Sequence, residues 1–579
     1  MEKPRIGVYV CWCGTNIAKM VDVEAVADEM AKLPDVIIAK NYKYMCSDPG
    51  QDLIVKDIQE HNLNRIVVSA CSPRIHELTF RKALEKAGLN QYLFEMTNIR
   101  EQDSWVHEDR GEATKKAQAL ITASVNRVRL HEELDERTVE VNPATLIIGG
   151  GITGITAALE IANAGKKVFL IEKSDKIGGH VSNMDLTFPF LYSAKQMLDP
   201  LIKQVSNHSN VSIFLETEVK EVFGYIGNFE STVQQKNGTE TLLKFGNIIV
   251  ATGLKSFNPE VVAEYGYGKF PNVVTSIEFE TMLKSGRILT KDGKEPRNVA
   301  IIHCVGSRNN KYHEYCSRTC CMTALKYSAQ LRSVLPEANI FDAYADMRAM
   351  GKGCEEFYTE VSRSHIMYLM FEQKDGIPKI KKATQGDNCE MLISLKEMLS
   401  GEEIEVPADL VILMVAMEAQ DDAKNIGHAV GISMCGNSFY IERHPKLDPV
   451  ATTTNGVYIA GSCQSPKDIP DSVAQARAAA ARILAIIAKG TAHIEVTTAF
   501  VNEDICCGCQ TCIKVCPYTA ISYDIEKKVS VVNEILCKGC GTCGSACPTG
   551  AIKSRHFTDK QIISQIEGLM SVSFEIQEV

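Results

Sequence analysis

The sequence lacks the features of a secreted, membrane-embedded or nucleic-acid-binding chain. No apolar signal segment follows a basic start, and the longest apolar stretches, such as Val411 to Met417, are too short to cross a bilayer. There is no long run of Lys and Arg, and the net charge of −10 argues against nucleic acid as a partner. These absences predict a cytoplasmic protein with no membrane insertion.

Cysteine, in contrast, is abundant, with 21 residues in a chain of 579. In a reducing cytoplasm we expect such thiols to be metal ligands rather than disulfides. The length predicts about three to five domains with cores of normal size. Helix-promoting and strand-promoting segments alternate through most of the chain, which favours an α/β protein.

Eight cysteines near the C-terminus repeat one spacing, in which each run of four ends before a proline. In ferredoxins with two 4Fe-4S clusters, each run supplies three ligands to one cluster and its last cysteine to the other. A zinc ribbon or a disulfide framework explains two identical runs less well, since zinc needs only four ligands per site. The expected ligand sets are Cys506, Cys509, Cys512 and Cys547 for one cluster, and Cys537, Cys540, Cys543 and Cys516 for the other.

A strand, a glycine turn and a helix follow one another from Thr145, as in a dinucleotide-binding fold. Gly149 allows the tight turn, Gly151 lets a pyrophosphate approach the backbone, and Gly154 lets the helix and strand pack closely. The next predicted strand ends at Glu172, which is placed to accept hydrogen bonds from a ribose.

Three later segments favour FAD over NAD, because they resemble those of disulfide-reductase-like flavoproteins and follow the same order. They are Glu172 to His180, the strand ending at Ala251 to Gly253, and the strand ending at Gly461 and Ser462. A serine stands at 462, where an aspartate usually holds the ribityl chain. For one segment alone, a buried strand ending in a turn is the better interpretation, but three segments in the family's order argue against it. The predicted FAD contacts are Gly149, Gly151, Gly154, Glu172, Lys173, Gly179, His180, Val219, Ala251, Thr252, Gly253, Gly461, Ser462 and Ser472.

Such flavoproteins insert a second nucleotide fold, with its own glycine fingerprint for NAD(P)H, before the last flavin strand. Here the equivalent strand, Asn298 to Ile302, is not followed by a glycine cradle. Four thiols suit a 4Fe-4S cluster that delivers electrons to the flavin, although buried free cysteines are the alternative. These thiols are Cys304, Cys316, Cys320 and Cys321.

The N-terminal segment has four further candidate ligands: Cys11, Cys13, Cys46 and Cys71. Two of them stand at the carboxyl ends of predicted strands, where α/β sheets place their ligands. By spacing alone, a fourth cluster and buried structural thiols remain equally open. The other cysteines have no partners at metal-site spacing and are interpreted as core or loop residues: Cys354, Cys389, Cys435, Cys463 and Cys507.

With these residues the chain resembles, over nearly its full length, the A subunit of heterodisulfide reductase, the flavoprotein of the methanogen enzyme and of related bacterial complexes. The resemblance implies that the N-terminal set and the Cys304-to-Cys321 set each hold a 4Fe-4S cluster, making four in all. The chain departs from methanogen members in lacking an extra ferredoxin module, and in having Asp103 where many relatives have cysteine. The strings that carry the resemblance are Tyr44-Met45-Cys46-Ser47-Asp48-Pro49-Gly50, Ala70-Cys71-Ser72-Pro73-Arg74, Asn98-Ile99-Arg100-Glu101, Tyr315-Cys316-Ser317-Arg318-Thr319-Cys320-Cys321 and Pro466-Lys467-Asp468-Ile469-Pro470-Asp471-Ser472.

The resemblance implies flavin-based electron bifurcation or its reverse, confurcation. FAD would take two electrons from a partner and send them singly to a heterodisulfide-reducing branch and to ferredoxin. The implied partners are B- and C-like subunits, ferredoxin, and an input subunit linked to a hydrogenase, formate dehydrogenase, NADH or coenzyme F(420), around a homodimer. As a hypothesis, Lys326 or Lys467 stabilises the anionic reduced flavin, although most lysines are solvated surface groups.

Two other functions stay open. One is a self-contained NAD(P)H:ferredoxin oxidoreductase similar to the small subunit of glutamate synthase, and the missing second glycine fingerprint argues against it. The other is a passive electron-transfer scaffold whose flavin does not turn over.

The predicted fold is α/β, with two interleaved Rossmann-like nucleotide-binding folds of the disulfide-reductase-like flavoprotein type. An N-terminal α/β cluster domain precedes them, and a bacterial-type two-cluster ferredoxin domain follows. A C-terminal tail with helical spacing from Ile562 to Leu569 and a strand-like end should pack on the core or dock a neighbour. The predicted boundaries are 1–140 for the N-terminal domain, 141–275 and 446–490 for the FAD-binding domain, 276–445 for the NAD-like fold, 496–556 for the ferredoxin domain and 557–579 for the tail.

Overall fold

The computed structural model describes residues 2–135, 137–384, 389–494 and 496–571. The chain forms two compact units, one of Met1–Val139 with His493–Val579 and the other of Glu140–Ala492. Within the described ranges, no helix is both long and apolar enough to span a bilayer. The strand-like end predicted for the tail falls in residues 572–579, which lie outside the described residues.

The N-terminal part of the first unit contains a four-stranded parallel sheet in the order β2-β1-β3-β4. Strands β1 and β3 are buried along their whole length, as expected for a sheet covered on both faces. The carboxyl ends of its strands meet at one edge, where we expect ligands to bind. The elements are β1 (Ile6–Cys11), α1 (Val23–Met30), β2 (Val36–Tyr42), α2 (Asp48–His61), β3 (Arg65–Ala70), α3 (Pro73–Lys86), β4 (Phe94–Asn98), α4 (Arg110–Val128) and β5 (Arg137–Glu140).

The second unit follows, and its last strand runs across the unit boundary. In chain order its elements are β6 (Thr145–Ile148), α5 (Ile152–Asn163), β7 (Val168–Ile171), α6 (Ala194–Ser206), β8 (Val211–Phe214), β9 (Thr217–Tyr225), β10 (Asn228–Gln235), β11 (Glu240–Phe245), β12 (Asn247–Val250), β13 (Lys255–Ser256), β14 (Val273–Thr275), α7 (Ser276–Lys284), β15 (Asn298–Val305), α8 (Cys320–Val334), β16 (Asn339–Tyr344), α9 (Cys354–Ser362), β17 (Ile366–Met370), β18 (Lys379–Lys382), β19 (Met391–Lys396), β20 (Glu403–Ala408), β21 (Leu410–Val415), β22 (Met417–Glu418), α10 (Ala423–Val430), β23 (Val457–Ile459), α11 (Ile469–Lys489) and β24 (Thr491–Ile494).

Two five-stranded parallel sheets organise this unit, in the orders β23-β12-β6-β7-β8 and β14-β21-β15-β16-β17. The first sheet is discontinuous in sequence, because all strands of the second sheet lie between β12 and β23 along the chain. Strands β12 and β23 nevertheless pair in parallel, with Ile248 opposite Val457 and Val250 opposite Ile459. Each sheet is accompanied by a three-stranded antiparallel sheet, β11-β10-β9 or β18-β19-β20. The predicted pair of interleaved Rossmann-like folds is confirmed.

Helix α11 supports the first sheet through small side chains. Ala476, Ala479, Ala480 and Ile483 are buried in the core that also contains α5. Alanines let two helix backbones approach closely while still burying apolar surface. The helix begins where the Asp468 carboxylate accepts a hydrogen bond from the Asp471 backbone N–H at 2.8 Å, so its N-terminus is fixed beside the turn after β23.

The C-terminal part of the first unit contains two short antiparallel sheets, β25-β28 and β26-β27. The final helix packs on α4, because Gly568 has no side chain and a Cβ there would lie 2.6 Å from Ala123 Cα. The elements are β25 (Ala499–Val501), α12 (Thr511–Val515), β26 (Ile521–Asp524), β27 (Val529–Val532), α13 (Thr542–Ser545), β28 (Ile552–Ser554) and α14 (Asp559–Met570).

Candidate flavin and cluster sites

The turn between β6 and α5 forms an open cradle. Gly149 has a φ of +111°, and a side chain there would collide with the Ala251 carbonyl oxygen. A side chain at Gly154 would collide with the Gly149 carbonyl oxygen. At Gly151, in contrast, an added Cβ would meet only Gly179 Cα, 4.0 Å away. Room left at a helix N-terminus fits the pyrophosphate of a dinucleotide, so the residues present suit FAD.

The second predicted glycine segment closes one side of this cradle. Gly179 has a φ of +55°, and a Cβ there would lie 3.0 Å from Gly151 Cα. The next residue, His180, places its Nε2 atom 2.9 Å from the Leu254 carbonyl oxygen. The segment is therefore tied to the turn that follows β12.

Glu172 stands at the carboxyl end of β7, on the ribose side of the predicted site. Its carboxylate accepts hydrogen bonds from the backbone N–H of Gly150 at 2.7 Å and of Ser174 at 2.9 Å. The Glu172 carboxylate is thus held in a fixed position beside the glycine turn.

Val219, another predicted FAD contact, is half-buried in β9 and packs against the core that contains Ile171.

Two further predicted segments reach the same helix N-terminus. The turn Ala251–Gly253 follows β12, and the Ala251 carbonyl oxygen borders the first glycine of the cradle. Gly461 and Ser462 lie in a short 3-10 turn after β23, and a Cβ at Gly461 would lie 2.5 Å from the Thr153 hydroxyl. Segments far apart in sequence therefore converge at one end of α5.

Lys173 and Ser472 lie outside the glycine turn between β6 and α5. Lys173 is exposed, and its Nζ atom lies 3.3 Å from the Asp422 carboxylate. Ser472 is buried in the first turn of α11, where its backbone N–H donates to the Asp468 carbonyl oxygen at 3.1 Å. Both remain predicted FAD contacts.

Lys326 is buried in α8 with a counter-charge of its own. Its Nζ atom forms an ion pair with Glu280 and donates a hydrogen bond to the Leu186 carbonyl oxygen at 3.0 Å. Burial lowers the pKa of Lys326, and the Glu280 carboxylate opposes that shift. Its positive charge is therefore neutralised within the protein.

Lys467 is also buried, but its surroundings differ. Its Nζ atom donates to the Ser465 hydroxyl at 2.7 Å, and among the described residues no carboxylate forms an ion pair with it. Burial lowers the pKa of Lys467 and the Arg318 guanidinium adds to the effect, while interactions with Cys463 and with the carboxylates of Asp471 and Glu442 oppose it. A buried cation without a carboxylate partner, next to the turn after β23, suits an anionic group of a bound cofactor.

The second nucleotide fold departs from the first at the corresponding place. Residues 149–151 alone separate β6 from α5, whereas residues 306–319 separate β15 from α8. At Gly306 the φ is +84°, and a Cβ would lie 2.5 Å from the ring of Phe257. The short glycine turn of the first fold is therefore absent here, and Phe257 packs directly against the first residue after β15.

The four cysteines of this fold gather at the N-terminus of α8. The Cys320 thiol hydrogen-bonds with those of Cys304 and Cys321. The Arg348 side chain donates to the Cys316 sulfur, and its backbone N–H donates to the Cys321 sulfur. Cys304, Cys320 and Cys321 thus lie together, and Arg348 interacts with both Cys316 and Cys321, in a donor-rich position that suits an iron-sulfur cluster.

A buried ion pair favours thiolates in this group. His303 Nε2 lies 2.8 Å from Asp342 Oδ1, and neither side chain is exposed. Burial disfavours the imidazolium, but the Asp342 carboxylate outweighs it and raises the pKa of His303 well above its ordinary value. The hydrogen bond with Cys320 and the charge of His303 lower the pKa of the Cys321 thiol. The pKa of Cys304 is lowered as well, to about 7, mainly by its hydrogen bond with Cys320, whereas the same hydrogen bonds raise the pKa of the Cys320 thiol. The thiolate form that binds metal is therefore favoured at Cys304 and Cys321.

The N-terminal cysteines meet at the carboxyl edge of the first sheet. The Cys13 backbone N–H donates to Cys11 Sγ at 3.3 Å, and Arg100 Nη1 donates to Cys13 Sγ at 3.3 Å. Electrostatic interactions link Cys13 with Cys11, Cys46 and Cys71. Burial raises the pKa of the Cys71 thiol to about 12, against the influence of Arg100. Four converging thiols fit a cluster, whose iron would displace the thiol protons.

Asp103 lies in a π-helical turn, Arg100–Ser104, close to this edge. Its carboxylate is fully buried, and Oδ1 lies 3.3 Å from His107 Nδ1. Burial raises the pKa of Asp103 to about 6. The side chain next to this carboxylate is thus the imidazole of His107.

The eight C-terminal cysteines line two cavities. Cys516, Cys537, Cys540 and Cys543 surround one, and Cys506, Cys509, Cys512 and Cys547 surround the other. These are the two crossed ligand sets expected from the spacing. Each cavity thus contains the four cysteines that a 4Fe-4S cluster requires, and the cavity that contains Cys506 is also lined by Cys507.

Backbone N–H groups point at several of these sulfurs. Cys537 Sγ accepts hydrogen bonds from Ala499 and Gly539, and Cys516 Sγ accepts one from Ala520, each at 3.4 Å. Such donors stabilise the negative charge of thiolates and of a reduced cluster.

Several side chains that shape these sites carried no signal in the sequence. Arg348 is separated from Cys321 along the chain, and Phe257 stands far from Gly306. Arg100 belongs to one of the strings that carry the resemblance, and His303 directly precedes Cys304. Only the last two positions could have been proposed without the structure.

Two family profiles match the chain. The family described as pyridine nucleotide-disulphide oxidoreductase matches residues 143–306, and the 4Fe-4S dicluster domain matches residues 505–552. Together with the relatives described next, these matches show an oxidoreductase that contains FAD and 4Fe-4S centres.

Three relatives extend over most of the chain. The A subunit of the H(2):CoB-CoM heterodisulfide,ferredoxin reductase of Methanothermobacter marburgensis is 41% identical over 99% of this chain and 98% of its own. The H(2)/formate-dependent counterpart of Methanococcus maripaludis is 37% identical over 100% of both chains. The A subunit of the Ferredoxin/F(420)H(2)-dependent CoB-CoM heterodisulfide reductase of Methanosarcina acetivorans is 36% identical over 97% of this chain and 80% of its own.

The alignment with the first relative spans 658 positions, more than the 579 residues of this chain. That relative therefore has residues without a counterpart here, in agreement with the predicted lack of an additional module. On identity and coverage, the chain belongs to the family of heterodisulfide reductase A subunits.

Proposed function

We propose that this chain splits electron pairs at FAD, or joins them in the reverse direction, between a disulfide-reducing branch and ferredoxin. The observation that carries the proposal is the contrast between the two nucleotide folds. The first has a three-residue glycine turn with an open cradle at Gly151, whereas in the second residues 306–319 separate the strand from the helix, and cysteines gather at the helix N-terminus. Electrons would therefore reach the flavin through thiolate-held iron rather than from a nicotinamide.

The proposed cofactors determine which roles the protein residues have in electron transfer. FAD, when bound, exchanges electrons in pairs or singly, while each 4Fe-4S cluster carries one electron at a time. The glycines at the start of α5 orient the dinucleotide, and Glu172 holds its ribose. Four cysteine sets hold four clusters: one in the N-terminal sheet, one in the second nucleotide fold and two in the C-terminal module.

The names of the relatives indicate the kind of assembly. They mention the CoB-CoM heterodisulfide, ferredoxin, hydrogen, formate and F(420)H(2). We propose that B- and C-like subunits reduce the disulfide and that a separate subunit supplies electrons from one of these donors. Ferredoxin would be the low-potential partner, and the chain would form a homodimer inside the complex in the cytoplasm.

The proposed function is tested by asking whether ferredoxin reduction and disulfide reduction depend on each other. The complex should be purified anaerobically from native cells with a tag on this chain, and its other subunits identified. With the natural donor present, we expect ferredoxin reduction to stop when the disulfide acceptor is omitted, and disulfide reduction to stop when ferredoxin is omitted. Ferredoxin reduction by NADH with this chain alone would contradict the proposal. A flavin that stays oxidised during turnover would contradict it equally, in favour of a passive scaffold.

Replacing Lys467 with methionine should make the flavin harder to reduce. The variant removes a buried cation that has no carboxylate partner among the described residues, and with it the charge that would stabilise anionic reduced flavin. We expect the two-electron midpoint potential to fall by about 30 mV or more, which corresponds to ~1.4 kcal/mol. Anaerobic redox titration followed by flavin absorbance measures the shift.

The control is the double variant Lys326→Met/Glu280→Gln, which removes a buried lysine together with its counter-charge. Its flavin potential should stay at the wild-type value. An unchanged potential in Lys467→Met would remove Lys467 from the flavin site.

A further inference from the structure

One of the two C-terminal cavities contains a fifth cysteine. Besides Cys506, Cys509, Cys512 and Cys547, its lining includes Cys507. Cys507 and Cys509 are separated by one residue and line the same cavity. A cubane cluster uses four protein thiolates, so this cavity holds one more than it needs.

The local backbone allows Cys507 and Cys509 to share the cavity. Gly508, between them, has a φ of +66°, and a Cβ there would lie 2.7 Å from the Lys528 carbonyl oxygen. The positive φ turns the chain sharply between the two cysteines. Cys507 is exposed and lies outside any helix or strand, so few packing contacts oppose a small movement of its side chain.

The other cavity provides an internal comparison. Cys506 and Cys537 are 31 residues apart, as are Cys509 and Cys540. The same offset places Lys538 at the position of Cys507, and Lys538 lines the second cavity. The extra thiol therefore belongs to one of two otherwise matching sites.

We propose that Cys507 is a reserve ligand for the iron that Cys509 binds. When the bond between iron and Cys509 Sγ breaks, the Cys509 sulfur takes up a proton. The Cys507 S–H bond breaks, its proton passes to water, and a bond forms between Cys507 Sγ and the same iron. No electron is transferred in this exchange, and the cluster keeps four irons. The inference rests on the cluster content proposed above.

The test compares four variants of the full-length chain, prepared anaerobically: Cys507→Ala, Cys509→Ala, Cys507→Ala/Cys509→Ala and Cys540→Ala. The readouts are iron per chain and the EPR spectrum of the oxidised protein, in which a 3Fe-4S cluster gives a signal and intact 4Fe-4S clusters give none. We expect Cys507→Ala and Cys509→Ala to keep the wild-type iron content without a 3Fe-4S signal. The double variant should lose one iron and show the signal, and so should Cys540→Ala, because Lys538 is no substitute for a thiolate.

A Cys509→Ala variant with the same 3Fe-4S signal and iron loss as the double variant would overturn the reserve-ligand role while leaving the cluster assignment intact. A wild-type chain without 4Fe-4S clusters in this module would overturn both. The unchanged Cys507→Ala variant serves as the control for correct folding of the loop.

Discussion

Replacing Gly151 with valine is expected to yield a folded chain that binds no FAD. Gly151 has a φ of −75° and a ψ of −177°, a conformation that valine adopts readily. The added Cβ would meet only Gly179 Cα, 4.0 Å away, but the side chain fills the space in which the pyrophosphate approaches the backbone. We expect the flavin content to fall from about one per chain to near zero. Visible absorbance of the anaerobically purified chain, relative to protein concentration, measures the loss.

Gly436→Val is the matched control. That glycine has no atom within 4 Å of an added Cβ, and it lies outside the cradle. The control should keep its FAD and show the same circular dichroism as the wild type. A Gly151→Val chain that retains a full complement of FAD would mean that the dinucleotide binds elsewhere.

Replacing Cys316 with alanine should disrupt one cluster and leave the flavin in place. Cys316 is half-buried, whereas Cys304, Cys320 and Cys321 are nearly inaccessible, so this substitution disturbs the packing of the core least. We expect this 4Fe-4S cluster to be lost or converted to a 3Fe-4S form, a loss of about one to four irons per chain, with an unchanged FAD content. Reduction of the flavin by an external one-electron donor should slow by at least an order of magnitude, because the route through the second nucleotide fold is interrupted.

Iron analysis and anaerobic stopped-flow absorbance provide both measurements. The control is Cys435→Ala, which removes an exposed cysteine outside the predicted ligand sets. If Cys316→Ala kept the iron content of the wild type, the four thiols of this fold would be ordinary buried cysteines, which is the alternative that their spacing left open.

Much of the architecture follows from local patterns in the sequence. The apolar runs at Leu146 and Ile249, each ending in glycines, predicted strands that the structure places side by side in one sheet. The spacing of the C-terminal cysteines was informative in the same way, since the two cavities contain the crossed sets that the repeat predicted. In both cases the signal lies within a few residues, and sterics or ligand geometry dictate the outcome.

Contacts between distant segments could not be predicted in this way. The ring of Phe257 packs against Gly306. The Asp342 carboxylate pairs with His303 beside the cysteines of the second fold and raises its pKa. Neither partner belongs to a recognisable motif, because each acts only through its position in the folded chain. Cys507 shows the same limit, since its thiol gains a role only when the cavity around Cys509 is known.

The ratio of iron to FAD in the anaerobically purified full-length chain tests the central claim most directly. A flavin served by four thiolate-held clusters predicts one bound FAD and about sixteen irons per chain. A preparation without FAD, or with iron for only the two clusters of the C-terminal module, would contradict it.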